Sequence, residues 1–437
     1  MLKNVAARFF VLALVVFMIT GSVYAFTKVD NTKLQNNILN EGHEKNVSNG
    51  IAQTNDNNEI KELRAVWVAT VYGLDYPSSG ATTDSAILKK EIIDMLDNIQ
   101  TMGFNTVYFQ VRPAADAFYP SKIFPWSKYL TGNQTTAPKA GFDPLKFIVD
   151  EGHKRNIEIH AWINPYRITM KKSDLEELAH NHPAILHPEW VVAHGTGDKV
   201  RHYFNPGIPE VEKMILNGVS EIIQNYDVDG IHLDDYFYPG KAFDDYNTYV
   251  KYGSEYDNIH DWRRDNINKL IEKMYYLIKA KDEKLDFGVS PFAIWANKTS
   301  NPLGSDTKGK ESYYAMYADT RGWVKAGYLD YIMPQIYWNI GYKIADYEKI
   351  LNWWVDVVKD TNVKLYVGQA AYRTCNPNSD SPWYGVNQLS DQVKLNRATD
   401  NVGGYCMFRY RSLLRKPELI QLMKDLNKPM KNSMQGF

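Results

Sequence analysis

The sequence predicts an α/β protein of the (β/α)8 TIM-barrel class. Two observations carry this. After Glu62, short β-branched and aromatic runs alternate with longer amphipathic ones through eight rounds. Late in those runs, polar residues stand at alternate positions, where a barrel that served only as scaffold would carry Val, Ile and Leu. A doubly wound open sheet is the other architecture with this alternation. The repeat count disfavours it, and VYGLDYPS follows the first strand in place of a Gly-rich phosphate loop.

The expected strands, in order, are LRAVWVATV from Leu63, NTVYFQVRP from Asn105, IEIHAWINP from Ile157 and DGIHLDDYF from Asp229. DFGVSPF from Asp286, DYIMPQIYW from Asp330, KLYVGQAAY from Lys364 and GGYCMFRY from Gly403 complete the set. Between them, Ser85 to Met102 places Leu88, Ile92, Leu96 and Ile99 at helical spacing behind a possible cap at Asp84. Asp143-Pro144 opens the next helix with Pro in the favoured first position. Further helices are expected over Pro209 to Asn225, Trp262 to Lys281, Tyr313 to Ala326, Ile344 to Val358, Gln388 to Ala398 and Pro417 to Leu426. Long loops follow strand three (Tyr166 to Ile208) and strand five (Ala293 to Glu311), both on the face where barrels carry their sites. The first holds His180, His182, His187, His194 and His202 at irregular spacing, and we expect exposed or packing roles for them rather than a metal site.

The flanks read differently. Lys3 and Arg8, an apolar run from Phe9 to Ile19 and then Val23-Tyr24-Ala25 follow the order of a secretory signal over residues 1–25. That run is short for a membrane span. Residues 26–60 are polar and Asn-rich, with little to bury, and are expected to form a disordered linker. One barrel domain is expected over 61–426, with a short tail over 427–437. The protein is therefore expected in the cell envelope or medium, as a monomer, without stable membrane insertion once the signal is removed. A net charge of −1 argues against nucleic acid as a partner. Cys375 and Cys406 are the only cysteines. Export permits a bridge between them, but Cys406 lies in an apolar run that suits a core thiol, and no cysteine pair has zinc spacing.

Aromatic residues make up 13% of the chain, which suits carbohydrate handling. Strand parity puts Asp234 inside the barrel with His232 and Tyr236, beside Gln110 and Arg112 of strand two, Trp162 and Asn164 of strand three, and Gln335 and Tyr337 of strand six. Trp67, Tyr166, Arg167 and Trp338 stand near other strand ends. Aromatic faces stack on sugar C–H surfaces, and amides and Arg bond hydroxyls. Glycoside cleavage needs one acid and a second carboxylate. Asp234 is the first candidate, with Asp116 in RPAADAFYP as its expected partner and Asp235 tuning or replacing either; Asp75 is a weaker candidate. An Asp just past a strand is also a common turn or helix cap. No cofactor is needed. Two other readings stay open: a barrel that binds glycan without turnover, and a metal-dependent deacetylase or amidase using His160 and His232.

DGIHLDDY superficially resembles the DGxDxDxE motif of family 18 chitinases, but Tyr236 stands at the position of the catalytic Glu, so that assignment fails. The blocks ELRAVWVATV, NTVYFQVRPAADAFYPS, HAWINPYR, YFNPGIPEV, DGIHLDDYFYP, FGVSPFAIWAN and DYIMPQIYW resemble, in order, those of the glycosyl hydrolase-like family 10, from about Glu62 to about Tyr372. The resemblance implies a (β/α)8 barrel and a secreted glycosidase acting on a cell-wall glycan, namely peptidoglycan strands freed of stem peptides. By motif position it supports Asp116, Asp234 and Asp235 as rim acids.

Overall fold

A computed structural model describes residues 62–428. The expected signal and linker, and all of the expected tail but Asn427 and Lys428, lie outside them. Eight parallel strands close into a barrel: β1 (Leu63–Val68), β2 (Thr106–Arg112), β3 (Glu158–Ile163), β6 (Gly230–Leu233), β7 (Asp286–Val289), β8 (Tyr331–Ile332), β9 (Lys364–Gln369) and β10 (Val402–Met407), which pairs back onto β1. The seam is regular, with Ala65 facing Thr106 of β2 on one side and Cys406 of β10 on the other. Each of the eight expected strands is present. The loop after β3 adds a feature not expected from the sequence, an antiparallel ribbon of β4 (Val191–His194) and β5 (Arg201–Phe204).

The helices follow their local signals. Asp84 accepts from Ala86 N and Ile87 N to start Ser85–Thr101, which turns Leu88, Ile92, Met95, Leu96 and Ile99 inward. Pro144–His153 begins with its proline and an Asp143 cap to Lys146 N. Three boundaries differ from expectation for identifiable reasons. The helix expected from Trp262 starts at Ile259 because Asn258 caps it, and the one expected from Ile344 starts at Tyr347 behind Asp346. The helix expected over Tyr313 to Ala326 is two pieces, Ser312–Ala315 and Thr320–Ala326. Tyr317 at φ 54° breaks the run, and Asp319 caps the second piece through Gly322 N.

Two apolar regions result. Outward strand residues such as Val66, Phe109, Ile159 and Ile231 pack under the helices. Inside the barrel, Ala65, Trp67, Tyr108, Trp162, Tyr331 and Cys406 form a second cluster. Its rings interlock with two histidines: Tyr108 lies 4.4 Å from His232 and 4.9 Å from His160 between centroids. Cys375 and Cys406 are both free thiols. Among the described residues no helix is long and apolar enough to cross a membrane.

The loop histidines divide. His182 and His202 are buried and take packing roles. Nδ1 of His182 accepts from Ala184 N at 3.0 Å, and His202 pairs with the Thr169 hydroxyl at 3.0 Å, so both tie the β3 loop to itself. His187 stacks on Trp190 at 3.8 Å.

Candidate active site

The C-terminal mouth of the barrel holds a cleft of about 310 Å³, the position where this architecture builds its sites. β6 ends at Leu233, so Asp234 and Asp235 lie just past the ladder in irregular backbone. Strand alternation no longer separates them, and both side chains line the cleft. Trp67, Gln110, Trp162, Arg167, Tyr236, Gln335 and Tyr337 line it with them.

Asp234 is held by a chain of amides whose orientation the backbone dictates. The N–H groups of Thr70 and Val71 donate to Gln110 Oε1 at 2.9 and 3.0 Å. Gln110 Nε2 must then face Asn164 Oδ1, at 2.6 Å, and Asn164 Nδ2 donates to Asp234 Oδ2. Trp162 Nε1 donates to the same oxygen at 3.1 Å, and Tyr236 N donates to Oδ1 at 3.2 Å. Three N–H donors suit an ionised carboxylate. Burial pushes the Asp234 carboxyl above its ordinary value, while the Arg167 guanidinium and these donors hold it down.

Asp235 has less support. Gln335 Nε2 donates to it at 3.2 Å, from an amide also anchored on the Ser290 carbonyl at 2.8 Å. Burial, and then the charge of Asp234, push it up to about 7. The two neighbouring carboxyls have unequal environments: three N–H donors favour the anion at Asp234, while burial and that charge favour the proton on Asp235.

Below the acids lies a neutral polar floor. Trp67 Nε1 can only donate and faces His232 Nε2 at 3.3 Å, so that nitrogen accepts and Nδ1–H points to the Tyr331 hydroxyl at 3.0 Å. Ser290 Oγ lies 2.9 Å from the same Nε2. Burial lowers the His232 pKa well below the ordinary value. Among the described residues no group of three His, Cys, Asp or Glu side chains is placed to hold a metal ion. On the wall, the Arg167 guanidinium sits over the Tyr236 ring at 4.9 Å, with Tyr236 38% exposed and open to stacking.

Four residues expected at the site stand elsewhere. The register slips between Gln110, paired with Trp162, and Arg112, paired with Ile163. This bulge moves Arg112 to the outer face. There it is fully buried, its guanidinium 3.7 Å from the Phe124 ring, and none of its three nitrogens has a hydrogen-bond partner among the described residues. Asp116 does not line the cleft either. It closes a turn, accepting from Ala114 N at 3.0 Å beside Ala115 at φ 53°. Tyr166 is buried in the outer core, and Trp338 packs against that core with its carbonyl taken by Gln392. Asn164 and His232 act from behind the lining. Asp75 is a structural ion pair, 2.6 Å from Arg409 and accepting from Ala69 N at 2.8 Å.

The sequence reading missed Tyr72, Leu74, Met170 and Phe408, which line the cleft from loops after β1, β3 and β10. The aromatics in VYGLDYPS and GGYCMFRY were the available signal.

The glycosyl hydrolase-like 10 family model matches residues 62–385. Glycosyl hydrolase YngK of Bacillus subtilis (strain 168) is 47% identical over 363 residues, which span 82% of this chain and 70% of that protein. Glycosyl hydrolase DigH of Escherichia coli (strain K12) is 41% identical over 385 residues, spanning 83% and 86%. The glycoside hydrolase domain of PgaB (BpsB) from Bordetella bronchiseptica shares the fold, with a TM-score of 0.54 at 14% identity, covering 83% of this chain and 98% of that one. Family and relatives support a glycoside hydrolase. A match of this extent along the chain makes this protein a member of the glycosyl hydrolase-like 10 family.

Proposed function

We propose that the protein is a secreted glycosidase that cleaves glycan strands of the cell wall, peptidoglycan strands without stem peptides being the substrate. The observation that carries glycoside cleavage is the Asp234–Asp235 pair in a cleft walled by Trp67, Trp162, Tyr236 and Tyr337. Asp235, held protonated near neutral pH, gives its proton to the glycosidic oxygen as the C–O bond breaks. Asp234, fixed by three N–H donors, faces the positive charge that develops on the sugar. Tyr236 and Tyr337 offer ring faces to the pyranose. The choice of polymer rests on the family resemblance, and secretion on the signal-like order of residues 1–25.

The test is mass spectrometry of digests made by the chain from Phe26 onward. Intact peptidoglycan and amidase-treated, peptide-free strands serve as substrates, with Asp235→Asn alongside. Shorter sugar fragments from the peptide-free strands, absent with the variant, are expected. Tight strand binding with no fragments would instead indicate a barrel that binds without turnover.

A further inference from the structure

We propose that the sugar supplies its own nucleophile: the acetamide oxygen of a 2-acetamido sugar attacks C1, Asp235 protonates the departing oxygen and Asp234 holds the acetamide N–H. This rests on the glycosidase reading and specifies its chemistry and substrate class.

Three features of the site lead there. First, the two acids are consecutive residues and reach the cleft from the same strand end, while no other carboxylate among the described residues lines it. Displacement by a protein carboxylate, or by water that one activates, needs the second carboxyl on the sugar face opposite the acid. The walls around this cleft carry amides, aromatic rings, Arg167 and Ser290 instead. Second, Asp234 is poorly suited to attack carbon. Both of its oxygens already accept N–H donors, two on Oδ2 from Trp162 and Asn164 and one on Oδ1 from Tyr236. A carboxylate accepts at about four lone-pair positions, so one acceptor position remains, which suits one further N–H. Third, the Gln110–Asn164 relay is anchored on backbone and leaves Asp234 little freedom to approach a sugar carbon. Such rigidity serves orientation of a bound group. Trp67, Ala69 and Trp162 border the cleft nearby and give the acetamide methyl an apolar surface.

The steps balance without a co-reactant other than water. The acetamide oxygen forms a bond to C1 as the bond from C1 to the leaving sugar breaks, and the Asp235 proton goes to that leaving oxygen. The resulting oxazolinium ion keeps its N–H on Asp234. Water then adds to C1 and passes its proton to the Asp235 carboxylate, and the ring opens to restore the acetamide. C1 is inverted twice, so the product retains the anomeric configuration.

The experiment compares peptide-free strands carrying N-acetyl groups with the same strands re-acylated with trifluoroacetyl, which draws electrons from the carbonyl oxygen. A 2-acetamido thiazoline sugar, a stable mimic of the bicyclic ion, is titrated calorimetrically against wild type and Asp234→Asn. The expected result is a loss of about 100-fold or more in wild-type rate with the trifluoroacetyl strands, because the positioned internal nucleophile is weakened. Thiazoline binding that falls at least about tenfold in Asp234→Asn is expected with it, a loss of about 1.4 kcal/mol. Cleavage indifferent to the acyl group, an inverted product, or a 2-fluoro sugar trapped on an aspartate would overturn the proposal and leave the glycosidase reading standing. No cleavage of any strand together with no thiazoline binding would overturn both. The acyl comparison uses wild-type protein, so it decides the matter even if the variant folds poorly.

Discussion

Trp162→Phe removes one N–H from Asp234 Oδ2 while keeping an aromatic ring in the barrel interior. A hydrogen bond to a buried charged group contributes about 1.5–3 kcal/mol. Losing this donor destabilises the ionised carboxylate by that amount and so raises the Asp234 pKa further. The sign follows from the roles. In the proposed mechanism the active form has Asp234 ionised and Asp235 protonated, so activity is lost on the acid side as Asp234 takes a proton and on the basic side as Asp235, at about 7, loses one. The variant lifts the acid limb toward the basic one and narrows the bell. On the acid limb kcat/KM falls by the factor this bond is worth, roughly 10–100-fold, and the loss shrinks toward the basic side. Arg167 and Lys310 are the cations that bear on the pair, and the phenols Tyr236 and Tyr337 titrate above this range. None of these is altered by the substitution. The assay is kcat/KM on peptide-free strands from pH 4 to 9, the two limbs being read as values of the pair. A loss equal at every pH, with the acid limb unmoved, would refute the assigned role of this bond.

Three further outcomes are expected. Asp116→Asn leaves kcat/KM within about threefold, whereas an acid or base in the reaction costs about 10²–10⁴-fold. Its effect falls on stability, about 1 kcal/mol for a weakened turn cap in denaturant unfolding, and a loss of turnover above 100-fold would return it to the chemistry. Gly218→Ala would bring a Cβ to 2.8 Å from both Arg112 Nη1 and Phe124 Cε2, so thermal unfolding shifts down, by about 1–3 kcal/mol of overpacking. His182, whose pKa burial pushes down to about 3 from 6.5, stays neutral in the fold while the unfolded chain takes a proton below 6.5. Its contribution to stability is therefore lost as pH falls from 6.5 toward 3. In His182→Asn, which keeps an acceptor for Ala184 N, denaturant titrations should show a shallower loss across that window; an unchanged slope would count against the assignment.

The sequence by itself determined the barrel, because strand and helix periods and the caps at Asp84 and Asp143-Pro144 are local signals that survive folding unchanged. It also marked Asp234, Gln110, Trp162 and Asn164, since parity along a regular parallel strand depends on counting alone. It could not mark the bulge between Gln110 and Arg112. An extra residue in a ladder is decided by pairing with β3, and it carried Arg112 to the opposite face. Nor could it choose between Asp235 and Asp116 as the carboxyl that lines the cleft beside Asp234. Both follow a strand in similar polar and aromatic company. Only the tertiary structure shows that β6 ends at Leu233 and lets Asp235 turn into the cleft, while the turn after β2 consumes the Asp116 carboxylate on its own backbone. The burial of His182, and of His202 within the β4–β5 ribbon, is likewise a matter of what packs over a loop. Residue type and spacing record which groups the chain offers. Which of them meet, and which are desolvated enough to hold a proton near neutral pH, is set by contacts between segments far apart in sequence.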